Sequence, residues 1–255
     1  MEEGKPITIK IDGREVHTTD GAILLDVCRE QGIDIPTLCH HESVSPAGAC
    51  RLCSVEARYK DWSKVVVSCI YPVWDGLEVL TRSDRTIAVR KLVLETLLAR
   101  GPNVKVVRDL AREYGIEEPR FPVEDHECIL CSLCVRTCDE VVGVHALSMQ
   151  GRGKDKVVGL PYLSDVSTCI GCGACVYVCP TQCIKLVDEG GVRRMWHEDG
   201  GGKRSSEREF ELKYCKVCGD KIGPKKQLDH FIESVGLPEN FYDICKGCRA
   251  TGHTP

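Results

Sequence analysis

Sixteen of the eighteen cysteines in this 255-residue chain gather into four sets of four, and no other feature constrains the fold as strongly. The sets are Cys39, Cys50, Cys53 and Cys69; Cys128, Cys131, Cys134 and Cys138; Cys169, Cys172, Cys175 and Cys179; and Cys215, Cys218, Cys245 and Cys248. Thiols at this density end as disulfides or as thiolate ligands. The close C-x2-C pairs, and an N-terminus (Met1 to Lys5) with no apolar leader, predict a reducing, cytoplasmic setting and metal ligation. No apolar run approaches the roughly 18 residues that cross a bilayer, so a membrane partner is not expected. The formal net charge is -4, with Lys and Arg scattered among acids, which gives nucleic acid no basic footprint.

The pattern along the chain predicts an α+β protein of small modules in series. Ile7, Ile9 and Ile11 alternate up to Asp12-Gly13, and Glu15 to Thr18 return, which is the signature of a hairpin closed by a two-residue turn. A helix over about 22–31 follows, with Asp20 as N-cap and Gly32 as its stop. Residues 65–67 and 77–80 read as closing strands. From Ser83 to Arg100 the period becomes helical, with Ile87, Leu94 and Leu98 on one face, and a second helix is expected over 104–114. Two four-cysteine runs then recur about forty residues apart. The polar, glycine-rich stretch 198–209 reads as a linker before the last set.

Both central runs have the form C-x2-C-x2-C-x3-C, and the second ends in Cys179-Pro180, the arrangement of bacterial two-cluster ferredoxins. Three thiolates of such a loop grip one cube while the fourth cysteine reaches the other. The expected [4Fe–4S] sets are therefore Cys128, Cys131, Cys134 with Cys179, and Cys169, Cys172, Cys175 with Cys138. Small Gly171, Gly173 and Ala174 let backbone N–H groups approach the sulfurs. The first set, C-x10-C-x2-C-x15-C, suits a [2Fe–2S] cluster in a β-grasp domain, and spacing alone leaves zinc open as the alternative. The last set, CKVCG and CKGC, has the form of two zinc-ribbon knuckles, with a fourth iron–sulfur cluster as the rival. Cys28 and Cys183 are expected as packed core thiols.

The segments IPTLCHHESVSPAGACRLCSVE (35–56) and VVVSCIYPVWDGLEVLT (65–81) resemble the N-terminal [2Fe–2S] domain of three relatives. These are the large iron–sulfur subunit of respiratory complex I, [FeFe]-hydrogenases, and the small diaphorase subunit of NAD-linked [NiFe]-hydrogenases. DHECILCSLCVRTCDEVVGVHALSMQGRGKD (125–155) is most similar to that diaphorase subunit, and the likeness runs over 5–187. One departure stands out: where those relatives carry a segment of one His and three Cys for an extra [4Fe–4S] cluster, this chain has RGPNVKVVRDLAREYGI (100–116), without either residue type.

Together these readings divide the chain into a β-grasp [2Fe–2S] domain (1–82), a helical connector without the usual His/Cys cluster (83–119), a two-[4Fe–4S] ferredoxin-like domain (120–190), a linker (191–209) and a small zinc-ribbon-like tail with four cysteines (210–255). The resemblance implies a non-catalytic electron-transfer subunit of a soluble multi-subunit oxidoreductase. It would relay electrons between an NAD(P)H- and flavin-binding diaphorase subunit and a catalytic partner, foremost a hydrogenase, including electron-bifurcating types that also use ferredoxin. A formate dehydrogenase or other anaerobic reductase is the alternative partner. A redox sensor would be a reading from another class, and it lacks a basic recognition helix here. The crossed assignment has a direct test. Cys138→Ala is expected to damage the cube held by Cys169, Cys172 and Cys175, and EPR loss of the other cube alone would overturn it.

Overall fold

Asp12 and Gly13 carry φ values of +48° and +82°, the double left-handed turn that fits the twist of a two-residue hairpin. In the computed structural model, which describes residues 4–160 and 168–254, this turn joins β1 (Pro6–Ile11) to β2 (Arg14–Thr19) in antiparallel register. The Asp12 carboxylate also accepts hydrogen bonds from the Thr81 backbone N–H (2.8 Å) and hydroxyl (2.6 Å). That fastens the turn to β5 (Glu78–Leu80), which pairs parallel to β1. β3 (Ser54–Tyr59) and β4 (Trp62–Val67) complete a five-stranded sheet in the order β2-β1-β5-β3-β4, a β-grasp topology. Its apolar face packs on α1 (Leu24–Glu30), with Ile9, Ile11, Leu24, Leu25, Val55 and Leu77 at the centre of the core.

Two expectations need correction here. The first helix starts later than expected: Ile23, not Asp20, is its N-cap and offers no side-chain bond, although Gly32 does follow it with φ +71°. The helical face of α2 (Asp84–Arg100) is also different, because Thr86, Arg90, Leu94 and Leu98 are buried while Ile87 is only partly so. Arg90, 1% exposed, spends all its nitrogens on neutral acceptors. Nε and Nη2 donate to the Ser54 carbonyl at 3.1 and 2.8 Å, and Nη1 to the Tyr114 hydroxyl at 3.2 Å. Ser54 follows Cys53 directly, so the guanidinium ties the end of a ligand loop to α2 and to the residue that caps α3 (Lys105–Glu113). The helices read as a connector thus belong to one compact unit with the sheet, Met1–Leu133.

The second unit, Cys134–Pro255, opens on α4 (Leu133–Arg136) and a wider π-type turn, Thr137–Val141. A two-stranded ribbon follows, β6 (Ser148–Gln150) with β7 (Val157–Gly159), and then the one-turn α5 (Ala174–Tyr177). The predicted linker 191–209 is not a linker. β8 (Ile184–Glu189), β9 (Val192–Asp199), β10 (Lys203–Tyr214) and β11 (Lys221–Pro224) form a four-stranded antiparallel sheet, and Gly200–Gly202 is the bend between β9 and β10. The physical reason lies in the alternation of Glu207 to Leu212: Glu207, Glu209 and Glu211 point outward while Arg208, Phe210 and Leu212 are buried. A segment can average as polar and still bury every second side chain. The tail adds α6 (Lys225–Val235) and α7 (Lys246–Ala250).

Two buried charges in the first unit yield measurable consequences. Replacing Arg90 by Met leaves the Ser54 carbonyl without its donors and is expected to cost about 3 kcal/mol, read as a fall in Tm. Glu56, 2% exposed, accepts from Ser63 Oγ (2.8 Å) and Arg58 Nε (3.0 Å). Hydrogen bonding from Ser83, then Ser63 and Arg58, holds it down from 4.5 to about 2. A depressed carboxyl stabilises fully above its ordinary value and loses that contribution as the pH falls through the folded one. Glu56→Gln is therefore expected to flatten the acid limb of a stability-versus-pH curve between 4.5 and about 2.

Candidate metal centres

In the first unit, the loop between α1 and β3 brings Cys39, Cys50 and Cys53 to the turn Ser68–Ile70, which carries Cys69; all four are buried. The sulfurs meet two by two, Cys39 with Cys50 and Cys53 with Cys69, each pair in hydrogen-bond contact. Cys39 is pushed up by Cys50, which is itself drawn down, and Cys69 is pushed up by Cys53, which is drawn down. Two pairs of buried thiols, two sulfurs for each iron, suit a cluster of two irons. Backbone N–H groups already face the sulfurs: Leu38 donates to Cys50 at 3.4 Å and Cys50 to Cys39 at 3.3 Å. Gly48 donates to Cys69 and has φ +61°; a Cβ there would lie 2.9 Å from Ile70 Cδ1. The donor set fits a [2Fe–2S] group, and this two-by-two pairing is a feature that spacing did not provide.

In the second unit Cys138, Cys169, Cys172 and Cys175 line one cavity, closed by Val144, Ala146, Leu147, Met195 and Arg208. The fourth cysteine of the first run therefore faces the first three of the second. Burial pushes the Cys138 and Cys175 thiols up, Cys175 to about 12. Ala146 N–H donates to Cys138 Sγ at 3.2 Å. Gly171 and Gly173 take φ +72° and +83°, and the equivalent positions of the first run, Leu130 and Ser132, take the same left-handed turn at +56° and +63°. The loop shape, not glycine itself, is thus common to both repeats. Glycine is required in the second because β10 and β8 crowd it: a Cβ on Gly171 would lie 2.6 Å from Phe210, and one on Gly173 2.9 Å from Leu186. Arg193, paired with Asp188 at 2.7 Å, donates to the Gly171 carbonyl at 2.9 Å.

Of the other predicted set, Cys128 and Cys131 lie in the first unit and Cys134 and Cys179 in the second; Cys131 and Cys134 are buried, the other two half-buried. Hydrogen bonding from Cys183 draws the Cys179 thiol down to about 5. Cys183 itself is buried, 3.6 Å from Cys179 Sγ and 3.5 Å from His197 Nε2. His197, on β9, escaped the sequence reading because it lay in the supposed linker.

The last set is the tightest. Cys215 and Cys218 occupy the turn after β10, Cys245 caps α7, and the four sulfurs lie within 4.8 Å of one another. Cys245 N–H donates to Cys215 Sγ at 3.2 Å and Cys248 N–H to Cys245 Sγ at 3.4 Å. The N–H groups of Cys218, Cys245 and Val217 pull the Cys215 thiol down to about 6. Asp243, held by Lys213 (2.7 Å) and Lys216 (2.6 Å), braces the two knuckles against each other.

Comparison with known proteins agrees with this geometry. Residues 4–84 match the 2Fe-2S iron-sulfur cluster binding domain and residues 127–183 the 4Fe-4S dicluster domain. The chain is 32% identical to the NADPH-Fe(3+) oxidoreductase subunit alpha of Geobacter sulfurreducens, over 69% of this chain and 23% of that protein. It is also 32% identical to the NADH-ubiquinone oxidoreductase 75 kDa subunit of Reclinomonas americana, over 74% and 31%. For the NADP-reducing hydrogenase subunit HndD of Solidesulfovibrio fructosivorans the figures are 32% identity, 70% and 36%. The chain thus spans between about a quarter and a third of the length of these curated relatives. Among solved structures, a chain of the NAD+-reducing [NiFe]-hydrogenase in its H2-reduced state superposes with a TM-score of 0.52 at 29% identity, over 60% of this chain and 74% of that one. With a [2Fe–2S] domain followed by a [4Fe–4S] dicluster domain, the chain is an iron–sulfur protein related to the complex I 75 kDa subunits and to NADP-reducing hydrogenase.

Proposed function

We propose that the chain is the electron-relay subunit of a multi-subunit oxidoreductase, carrying electrons between an NAD(P)H- and flavin-binding subunit and a hydrogenase subunit, with ferredoxin as a further partner. The observation that carries this reading is the match to the NAD+-reducing [NiFe]-hydrogenase, where the shared region makes up 74% of the matched chain. In the curated relatives the same region is a minor part of a much larger protein. The chain's own residues supply no bond-making chemistry in this reading. Their work is to hold clusters dry and tuned, through thiolates, N–H donors to sulfur and apolar walls, while the clusters supply one-electron redox chemistry. No helix among the described residues is long and apolar enough to cross a membrane.

The ligand sets proposed are Cys39, Cys50, Cys53 and Cys69 for [2Fe–2S]; Cys128, Cys131, Cys134 and Cys179 for one cube; and Cys169, Cys172, Cys175 and Cys138 for the other. For Cys215, Cys218, Cys245 and Cys248 the proposal is a single zinc ion. A tetrahedral ion with Zn–S bonds of about 2.3 Å sets its sulfurs about 3.8 Å apart. The mutual spacing within 4.8 Å, with Cys218 and Cys245 at 3.6 Å, favours one ion over a cube whose corner irons would spread the thiolates. Anaerobic metal analysis with EPR is expected to give about ten iron and one zinc per chain. About fourteen iron without zinc would make the tail a fourth cluster. Co-purification with flavin and hydrogenase subunits would support the relay, and co-purification with formate-oxidising subunits would redirect it.

A further inference from the structure

Among the described residues of the second unit, Arg208 is the one buried cation whose surroundings do not account for its charge. It is 4% exposed, yet no carboxylate pairs with it among the described residues, and its Nε is buried without a hydrogen-bond partner. Its Nη1 lies 3.8 Å from Cys169 Sγ, and its side chain lines the cavity shared by Cys138, Cys169, Cys172 and Cys175. The backbone aims it there. β10 carries an extra residue between Ser205 and Arg208 relative to β9, with Ser206 at φ +52°. Such a bulge redirects the side chains that follow it. Arg208 then stands opposite Met195, another wall of the same cavity. Arg90, by contrast, is also buried but has every nitrogen bonded.

A buried guanidinium without a counter-charge costs several kcal/mol unless something anionic compensates it. A cube held by four thiolates is net negative, and one-electron reduction makes it more so. We infer that Arg208 is a positioning and tuning residue for this cube: its fixed charge and its N–H donors favour the reduced form and set this cube's potential above what its cysteines alone would give. Arg208 lies outside the dicluster match at 127–183, so the tuning comes from the added sheet and not from the ferredoxin-like module. The inference rests on the assignment of Cys138 with Cys169, Cys172 and Cys175 to one cube.

The test is an EPR-monitored titration of the cluster-loaded chain, with dithionite supplying the electrons through mediators. Arg208→Met is expected to make reduction of one [4Fe–4S] cluster about tenfold less favourable, a shift of about 59 mV to lower potential for a one-electron couple. The [2Fe–2S] cluster should keep its midpoint, and Arg208→Lys should fall between Met and the native protein. Unchanged midpoints for both cubes in a loaded Arg208→Met protein would overturn the inference. If Arg208→Met does not retain the cube, recovery in Arg208→Lys supports a requirement for the charge, and equal loss in both overturns it. Failure of the ligand assignment looks different: Cys138→Ala in the otherwise native chain would then remove the EPR signal of the other cube and leave the cube of Cys169, Cys172 and Cys175 intact.

Discussion

Everything in this protein follows from the need to bring four sulfurs within a few ångströms of one another without water. Converged thiolates repel, and buried thiols resist ionisation, so a site of this kind is stable only with cations between the sulfurs and donors around them. The chain meets that need by withdrawing backbone from regular structure. Leu38, Gly48, Cys50, Ala146 and Cys245 send their N–H groups to sulfur instead of to a ladder or a helix. Left-handed residues such as Arg51, Leu130, Ser132 and Gly171 make the tight turns that allow it. Loops built this way have little stability of their own, and the strands and helices are arranged as supports for them.

The two units support their loops by different means. In the first, a β-grasp core closes around the loop, and Arg90 reaches across from α2 to hold the carbonyl next to Cys53. Each donor of that guanidinium has a partner, so its contribution is mechanical. In the second, the four-stranded sheet presses Phe210 and Leu186 against the Gly171 and Gly173 turns, and Arg193 holds the Gly171 carbonyl. Arg208, from the same sheet, adds an electrostatic contribution to a mechanical one.

What could be read from the sequence was whatever depends on near neighbours. The Asp12-Gly13 turn, the onset of a helix at Ser83 and the C-x2-C loops are all local, and each has a residue-level cause. The crossed assignment of Cys138 comes from the repeat, whose fixed spacing leaves few ways to complete two cubes. Arg90 and His197 were not legible, since their partners lie 36 and 14 residues away and a polar side chain gives no sign that it is buried. The sheet from β8 to β11 was half legible. The alternation at Glu207 to Leu212 is plain once the glycines at 200–202 are taken as a bend, but a window that averages polarity reads both as linker.

The bulge at Ser206 and the cysteine that ends β10 give that strand a property beyond support. In a strand, side chains alternate strictly, so a shift of one residue exchanges the inner and outer faces all along it. The phase of β10 is fixed at one end by the bulge and at the other by Cys215, which is tied into the knuckle one residue after Tyr214. From Arg208 to Cys215 the strand spans roughly 23 Å at its usual rise. A metal held by the tail would therefore clamp the register of a rod whose other end sets the environment of Cys169, and two sites with no ligand in common would share one mechanical coordinate.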